Sequence, residues 1–424
     1  MKQLLIKNGT LVNPAGTQHG QCDILLADGV VQQIVASKDA SFSNEEQMQV
    51  IDATNLIVAP GLVDVHVHFR DPGLTYKEDI ITGSRAAAKG GYTSVVMMAN
   101  TKPVIDQTST LSYVLDKGKT TGIHVYSCAC VTKEMKGEEL TDMSELYAAG
   151  ASGFTDDGQP IMNEELVRTA MENAVRLNVP ISFHEEDPKL IENNGVNCGA
   201  ASEYFHIGGS KREAEITMIA RDLELALQTG ASINIQHISS KEGVELVRQA
   251  RKRGSNIHAE ATPHHFSMTE EAVIRYETLA KMNPPLRTED DRQAILKGLQ
   301  DGTIDLIATD HAPHSQEEKA RPLTQAPSGI IGLETALPLA VTNLVHTGVL
   351  TMEQLIERMS VAPARLYHLP AGVIEEGAAA DLVIFSENET AIMGNYASKA
   401  ENTPFTGMEL AGVVHYTICK GIIV

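Results

Sequence analysis

The sequence is short of positive charge. Its 424 residues carry 34 Lys and Arg against 55 Asp and Glu, a net charge of −21. An acidic surface repels phosphate backbones and anionic lipid, which argues against nucleic acid or a membrane surface as partner. An anionic substrate would need a local cation to overcome that field. Long apolar runs are also missing: none reaches the ~18 residues of a membrane-crossing helix. The start, Met1-Lys2-Gln3-Leu4-Leu5-Ile6-Lys7-Asn8-Gly9, has no apolar signal-peptide core or cleavage site and reads as a short strand entering a turn. Cysteines are few and odd in number: Cys22, Cys128, Cys130, Cys198 and Cys419. That predicts reduced thiols in a cytoplasmic protein and no disulfide framework. Cys128-Ala129-Cys130 has no second cysteine pair to complete a metal site.

What is present is an ordinary globular balance, 42% hydrophobic and 21% charged. The first 60 residues are β-rich, with Asn8-Gly9 and Asp28-Gly29 as hairpin signals. The last 60 return to that style in Ala380–Phe385 and Gly412–Cys419. A small β-sandwich domain built from both termini, residues 1–58 and 365–424, is expected.

Between them, residues 59–364 alternate short apolar runs with helical patterns. Eight runs stand out: 62–69, 94–100, 122–130, 152–157, 181–184, 232–237, 257–263 and 305–310. They recur about every 35 residues, close to the roughly 30 of a βα unit. Eight such units predict an α/β fold, a parallel (β/α)8 TIM-like barrel. A doubly wound open sheet is the structural alternative, because periodicity does not prove closure.

The chemistry-bearing residues share one address. His66, His68, Asn100, Asp157, His184, His237, His264 and Asp310 sit at or just after the C-terminal ends of these runs, where barrel enzymes build their active sites. In Asp64-Val65-His66-Val67-His68-Phe69-Arg70, positions i and i+2 of a strand face one side, so two imidazoles can meet one metal ion. His184 and His237 are placed to supply a second site. A carboxylate from Asp156-Asp157 could bridge two cations, and Asp310 could hold a proton taken from water. Arg70 suits a bidentate grip on a carboxylate. Asn100 and Asn283 could read amides, though each also fits an ordinary turn. His264 and His265, adjacent on what reads as extended chain, would point opposite ways and are taken as supporting or core histidines.

Together these segments resemble the cyclic amidohydrolases, and within them the dihydroorotases of the class I bacterial type. The likeness runs along nearly the whole chain. It is carried by 64–73 (DVHVHFRDPG), 154–158 (FTDDG), 281–287 (KMNPPLR) and 308–314 (ATDHAPH). The resemblance implies two zinc ions per subunit. His66, His68 and Asp310 would bind the first, and His184 and His237 the second. Asp157 would bridge them, with no carboxylated lysine. It implies that Arg70, Asn100 and His314 hold the substrate carboxylate, with His68, Asn283, Ser328 and Gly329 as further substrate contacts. Ala99 stands where the family usually has proline, and Ala326-Pro327-Ser328-Gly329 lacks an aromatic residue common before the glycine.

The implied activity is the reversible cyclisation of N-carbamoyl-L-aspartate to L-dihydroorotate in pyrimidine synthesis, through hydroxide between the zincs, with Asp310 as general acid and base. The implied partner is that small anion. A homodimer and a complex with aspartate transcarbamoylase are left open. The alternatives are a dihydropyrimidinase, hydantoinase or allantoinase, which share the fold, and a non-catalytic scaffold for aspartate transcarbamoylase.

Overall fold

The computed structural model describes residues 3–254 and 256–424; Met1 and Lys2, at the head of the expected first strand, lie outside it. In chain order the N-terminal strands are β1 (Gln3–Leu11), β2 (Gly20–Ala27), β3 (Val30–Ala36), β4 (Gln49–Asp52) and β5 (Ile57–Pro60). Eight strands follow: β6 (Leu62–Val67), β7 (Tyr92–Met97), β8 (His124–Ala129), β9 (Gly153–Thr155), β10 (Ile181–Phe183), β11 (Ile233–Ile235), β12 (Ile257–Ala261) and β13 (Leu306–Ile307). The chain closes with β14 (Leu382–Ile392), β15 (Glu409–Cys419) and β16 (Ile422–Ile423).

Strands β6 to β13 pair in sequence order, each parallel to the next. A parallel bridge between Val67 and His311 joins the two ends, where the His68 amide donates to the His311 carbonyl at 2.9 Å. The sheet therefore rolls up into a nearly closed barrel, as the eight-run reading expects. β6 and β7 are buried at every position, the pattern of a parallel sheet covered on both faces. Its helices carry their own signals. Asp79 starts the helix Ile80–Lys89 by accepting from the Ile81 and Thr82 amides, each at 2.9 Å. The helix Glu164–Leu177 buries Val167, Ala170, Met171 and Ala174, a stripe at helical spacing.

The barrel floor is plugged. Val63, Val65, Val96, Met98, Cys128, Leu306 and Ala308 pack with Ala364, Leu366 and Tyr367, and the Tyr367 hydroxyl bonds the Ser182 hydroxyl at 2.7 Å. Cys128 belongs to this inner cluster and Cys130 to the outer one between strands and helices, so the two thiols are not a ligand pair. Burial pushes the Cys128 thiol up to about 12, an inert protonated group.

Both termini build one mixed sheet, in the order β16-β15-β14-β5-β1-β2-β3, with β4 also on β1. Residues 4–7 of β1 pair with β4, and Thr10 and Leu11 with β5, so two leaves diverge from one strand. Leu4, Ile6, Ile24, Ile51, Val58, Leu382, Ile384 and Ile418 form their shared core. The chain passes from this sheet to the barrel at Gly61, where a Cβ would lie 2.2 Å from the Thr93 hydroxyl oxygen. Among the described residues no helix is long and apolar enough to cross a membrane.

Most barrel strands end earlier than the apolar runs suggest. β10 stops at Phe183 and β13 at Ile307, which leaves His184 and Asp310 on the turns just beyond. The extended chain expected at His264-His265 is not there. Pro263, with its fixed φ, opens a short helix, Pro263–Ser267, capped by Thr262. Both histidines are buried in that helix; the His265 ring meets the Thr262 hydroxyl and the Pro284 carbonyl.

Candidate active site

The predicted ligands converge at the C-terminal mouth of the barrel. His66, His68 and Asp157 present ligand atoms to one point, and Asp157, His184 and His237 to another. The two triads share Asp157. His66 Nε2 lies 3.5 Å from one oxygen of Asp157 and 3.5 Å from Asp310. His68 Nε2 lies 3.4 Å from the other Asp157 oxygen and 3.0 Å from Asp310. His184 Nδ1 and His237 Nε2 are each 3.8 Å from Asp157 and 3.0 Å from one another.

A divalent metal pair fits this arrangement on two counts. His66 Nε2 is buried with no hydrogen-bond partner among the described residues, although two carboxylates lie beside it. His184 Nδ1 and His237 Nε2 aim at each other, and a cation would use both lone pairs at once. The imidazole and carboxylate set suits zinc or a similar first-row ion.

The supporting residues fix these rings. His66 Nδ1 is held by Glu260, whose carboxylate also accepts from Asn234 Nδ2 at 3.0 Å and the His237 amide at 3.2 Å. That bond keeps a proton on Nδ1 and aims Nε2 at the site. Asn100 accepts from His68 Nδ1 at 2.9 Å and donates to Asp157 at 3.1 Å. Glu186 lies 3.2 Å from His184 Nε2, which Asn283 Nδ2 also approaches at 3.1 Å.

Charge explains the titration behaviour. Burial alone would lower His66, but the carboxylates of Glu260 and Asp157 outweigh it and hold it well above the ordinary histidine value. Burial alone would raise Asp310. The hydrogen bond from His68 and the charges of His66 and His68 reverse that, and Asp310 stays ionised far below the usual carboxylate range. Asp157 is held down in the same way, chiefly by His66 and His237 against its own burial. Backbone strain marks the same turns: Arg70, His237 and Asp310 have φ of 58°, 33° and 48°. Each such residue costs about 1–3 kcal/mol, which the surrounding fold must hold in place.

A cavity of about 470 Å³ opens over the ligands, lined by Arg70, Asn100, Asn283, His314, Ser328 and Gly329 among others. Among the described residues no carboxylate lies within ion-pair distance of the Arg70 guanidinium, which donates to the Pro313 carbonyl at 3.3 Å. Asn283 Oδ1 is buried without a partner. His314 has a filled ring: Lys77 Nζ is 3.2 Å from Nδ1, and Nε2 bonds the Ser328 carbonyl at 2.8 Å. Burial, then the nearby Arg70 and Lys77, push its pKa far down, so it is neutral. Gly329 has φ 118°, and a Cβ there would meet the Ala312 methyl at 2.6 Å.

The structure brings Asp157, Asp310, His66, His68, His184 and His237 together at the barrel mouth. Sequence reasoning misses Glu260, Glu186, Lys77, Lys281 and Lys319. Glu260 had a signal: a carboxylate inside the apolar run of β12 has to face a partner. The lysines had none, since Lys77 meets a ring nitrogen and Glu318 from a distant segment, and the other two meet loop carbonyls.

Comparison with known proteins agrees. The profile of the amidohydrolase family matches residues 57–424. Dihydroorotase from Clostridioides difficile is 52% identical over 421 residues, covering 99% of both chains. Dihydroorotase from Streptococcus pneumoniae is 48% identical over 423 residues, again 99% of both. Among solved structures, an L-hydantoinase from Arthrobacter aurescens superposes with a TM-score of 0.87 at 26% identity, covering 100% of this chain and 96% of that one. A dihydropyrimidinase from Brevibacillus agri gives 0.85 at 21% identity, covering 100% and 95%, and so supports the fold alone. With two ligand triads joined by one aspartate at a barrel mouth and relatives alike from end to end, the chain belongs to the amidohydrolase family, among its dihydroorotases.

Proposed function

We propose that this chain interconverts N-carbamoyl-L-aspartate and L-dihydroorotate with two zinc ions per subunit. The observation that carries the reading is the pair of triads sharing Asp157 beneath a cavity whose wall holds an unpaired guanidinium. His66, His68 and Asp310 would hold one ion, His184 and His237 the other, with Asp157 between them. The metal pair supplies Lewis acidity and makes hydroxide available at neutral pH.

The chain's own residues do the rest. Arg70 binds the substrate carboxylate and so recruits an anion into a molecule of net charge −21. His314, Ser328 and Gly329 form the wall beside it, and Asn283 offers its free Oδ1 to the amide edge of the ring. Asn100 and His68 line the same wall and align Asp157 and Asp310. In the hydrolytic direction hydroxide adds to the ring carbonyl. Asp310, held as a carboxylate, takes the hydroxide proton and delivers it to the departing ring nitrogen. Cyclisation reverses these transfers and releases water.

Residues 59–364 are the proposed catalytic barrel, with 1–58 and 365–424 as the small domain, in a cytoplasmic enzyme of pyrimidine synthesis. Self-association and a complex with aspartate transcarbamoylase are tested by sedimentation of the pure chain and of the mixture.

The deciding experiment is turnover of L-dihydroorotate by pure protein, before and after chelation and zinc add-back. Metal-dependent formation of N-carbamoyl-L-aspartate is expected. Zinc-loaded protein that ignores dihydroorotate but opens a hydantoin or dihydropyrimidine would replace this reading with that of the hydantoinases.

A further inference from the structure

Lysine is rarely buried, and a buried ammonium normally has a carboxylate within reach. Lys281 and Lys319 depart from this: they are 3% and 5% exposed, and neither has an ion-pair partner among the described residues. Both spend their donors on one loop. Lys281 Nζ donates to the carbonyls of Leu323 and Ala326, each at 2.7 Å. Lys319 Nζ donates to the carbonyls of Pro327 and Gly329, each at 3.0 Å. The main chain of Lys281 adds a third hold, since its carbonyl accepts the Gly329 amide at 2.9 Å.

Single contacts add to these holds: His314 Nε2 on the Ser328 carbonyl at 2.8 Å, Ser328 Oγ on Asn194 at 2.8 Å, and Asn402 Nδ2 on the Gly329 carbonyl at 3.0 Å. Residues 321, 322, 324 and 325 are exposed, and only Ala326 and Gly329 within 321–329 are buried. Yet Thr324, Ala326, Pro327, Ser328 and Gly329 all line the substrate cavity. Two ammonium groups between them serve four of its carbonyls, those of Leu323, Ala326, Pro327 and Gly329. The lysines come from different parts of the chain. Lys281 opens the 281–287 segment that carries Asn283, and Lys319 ends the short helix Gln316–Lys319 that follows His314. They tie the loop to both of its neighbours in the cavity wall. A second cavity of about 770 Å³ is lined by Lys319, and His314 borders both cavities.

We infer that Lys281 and Lys319 are positioning residues for substrate binding, holding loop 323–329 as the outer wall of the substrate cavity. They touch carbonyls rather than the reacting atoms, so their loss acts on binding more than on the chemical step. Both ammonium groups are desolvated, which brings Lys281 down to about 8 and Lys319 to about 7, with Lys281 repelling Lys319. Groups so readily neutralised are suited to neutral carbonyl partners.

The inference rests on the dihydroorotase reading for its substrate, and the test separates the two. Lys281→Met and Lys319→Met are prepared as zinc-loaded protein. Hydrogen exchange is followed for peptides covering 321–331 and for barrel peptides, alongside kcat and KM for L-dihydroorotate and zinc content. The expected result is exchange at least tenfold faster in 321–331 alone, KM raised at least tenfold, kcat within threefold and zinc content unchanged. Unchanged loop exchange overturns the inference. So does faster exchange spread evenly over the barrel, which would mark a general stabilising role, or a fall in kcat at constant KM. Where a methionine variant does not fold, Lys281→Gln and Lys319→Gln keep donors on a shorter stem and are judged by the same outcomes. If the wild-type chain does not turn over dihydroorotate, the function reading fails and loop exchange alone decides.

Discussion

Glu260 offers the sharpest test of how the metal centre is held. Its buried carboxylate accepts from His66 Nδ1, Asn234 Nδ2 and the His237 amide. Glu260→Gln keeps the shape and removes the charge. The amide oxygen can still serve His66 and His237. Its NH2 would face Asn234, whose own Oδ1 has no partner and can turn to accept it. The fold should therefore survive. What is lost is the negative charge that makes His66 a strong ligand, and such losses weaken metal binding about 10–100-fold, roughly 1.4–2.7 kcal/mol. A second effect opposes the first. Glu260 and Asp157 also hold the His66 proton tightly in the metal-free site, so a proton competes with the metal. Removing the charge relaxes that competition. The net loss should be larger near pH 8.5, where fewer protons compete, than near pH 6. Zinc competition with a chromophoric chelator at both pH values measures it. The weakening should fall mainly on one of two sites, because Glu260 holds the His66 ring but meets His237 only at its amide. A loss below about threefold at pH 8.5, or a larger loss at pH 6 than at pH 8.5, would refute the reasoning.

Asp310→Asn should keep the zinc content near that of the wild type but lower kcat by about 10²–10⁴, the range for removing a positioned general base; near-normal kcat would remove Asp310 from that role. Arg70→Ala should raise KM for dihydroorotate about 10–100-fold, from the ~1.5–3 kcal/mol of a charge-assisted contact, with a smaller effect on kcat, as steady-state kinetics would show. The Lys319 ammonium has a folded value of about 7, below that of an ordinary lysine, so the unfolded chain holds that proton more tightly. Wild-type stability relative to Lys319→Met should accordingly rise with pH from 7 towards 10, by at most about 1.4 kcal/mol per unit, in denaturant titrations of the two proteins. A difference that stays flat with pH would place the ammonium in water.

The barrel was legible because its two signals are local and repeated. Parallel buried strands write continuous apolar runs, and five of the eight runs here end on a polar side chain, as at His184 after Phe183 and Asp310 after Ile307. His66 and His68 could be paired from strand parity alone. The boundaries were less legible, because strand ends depend on ladder partners from other units; β9, β10, β11 and β13 shrink to two or three residues each. His264 was misplaced for a different reason. Pro263 can extend a strand edge or open a helix, and only the packing of the following turn decides. Residues acting at one remove were the least legible. Glu186 and Lys319 gain meaning from partners at His184 and Gly329, and nothing in a single sequence ties those positions together.

The sheet shared by both termini has a consequence for synthesis. β5 leaves the N-terminal strands and takes as its other neighbour β14, with Pro60 opposite Leu382 and Ile57 opposite Phe385. A ribosome working at about 5–20 residues per second needs on the order of half a minute between the two. Throughout that time β1, β2 and β3 can fold as local hairpins, while Ile57 and Val58 present an open edge to everything nearby. The barrel grows out of that edge before it is sealed. The final strands of the chain are therefore the stopper of the nascent protein. A message truncated shortly before β14 would yield a polypeptide carrying every proposed metal ligand together with an uncovered, adhesive margin.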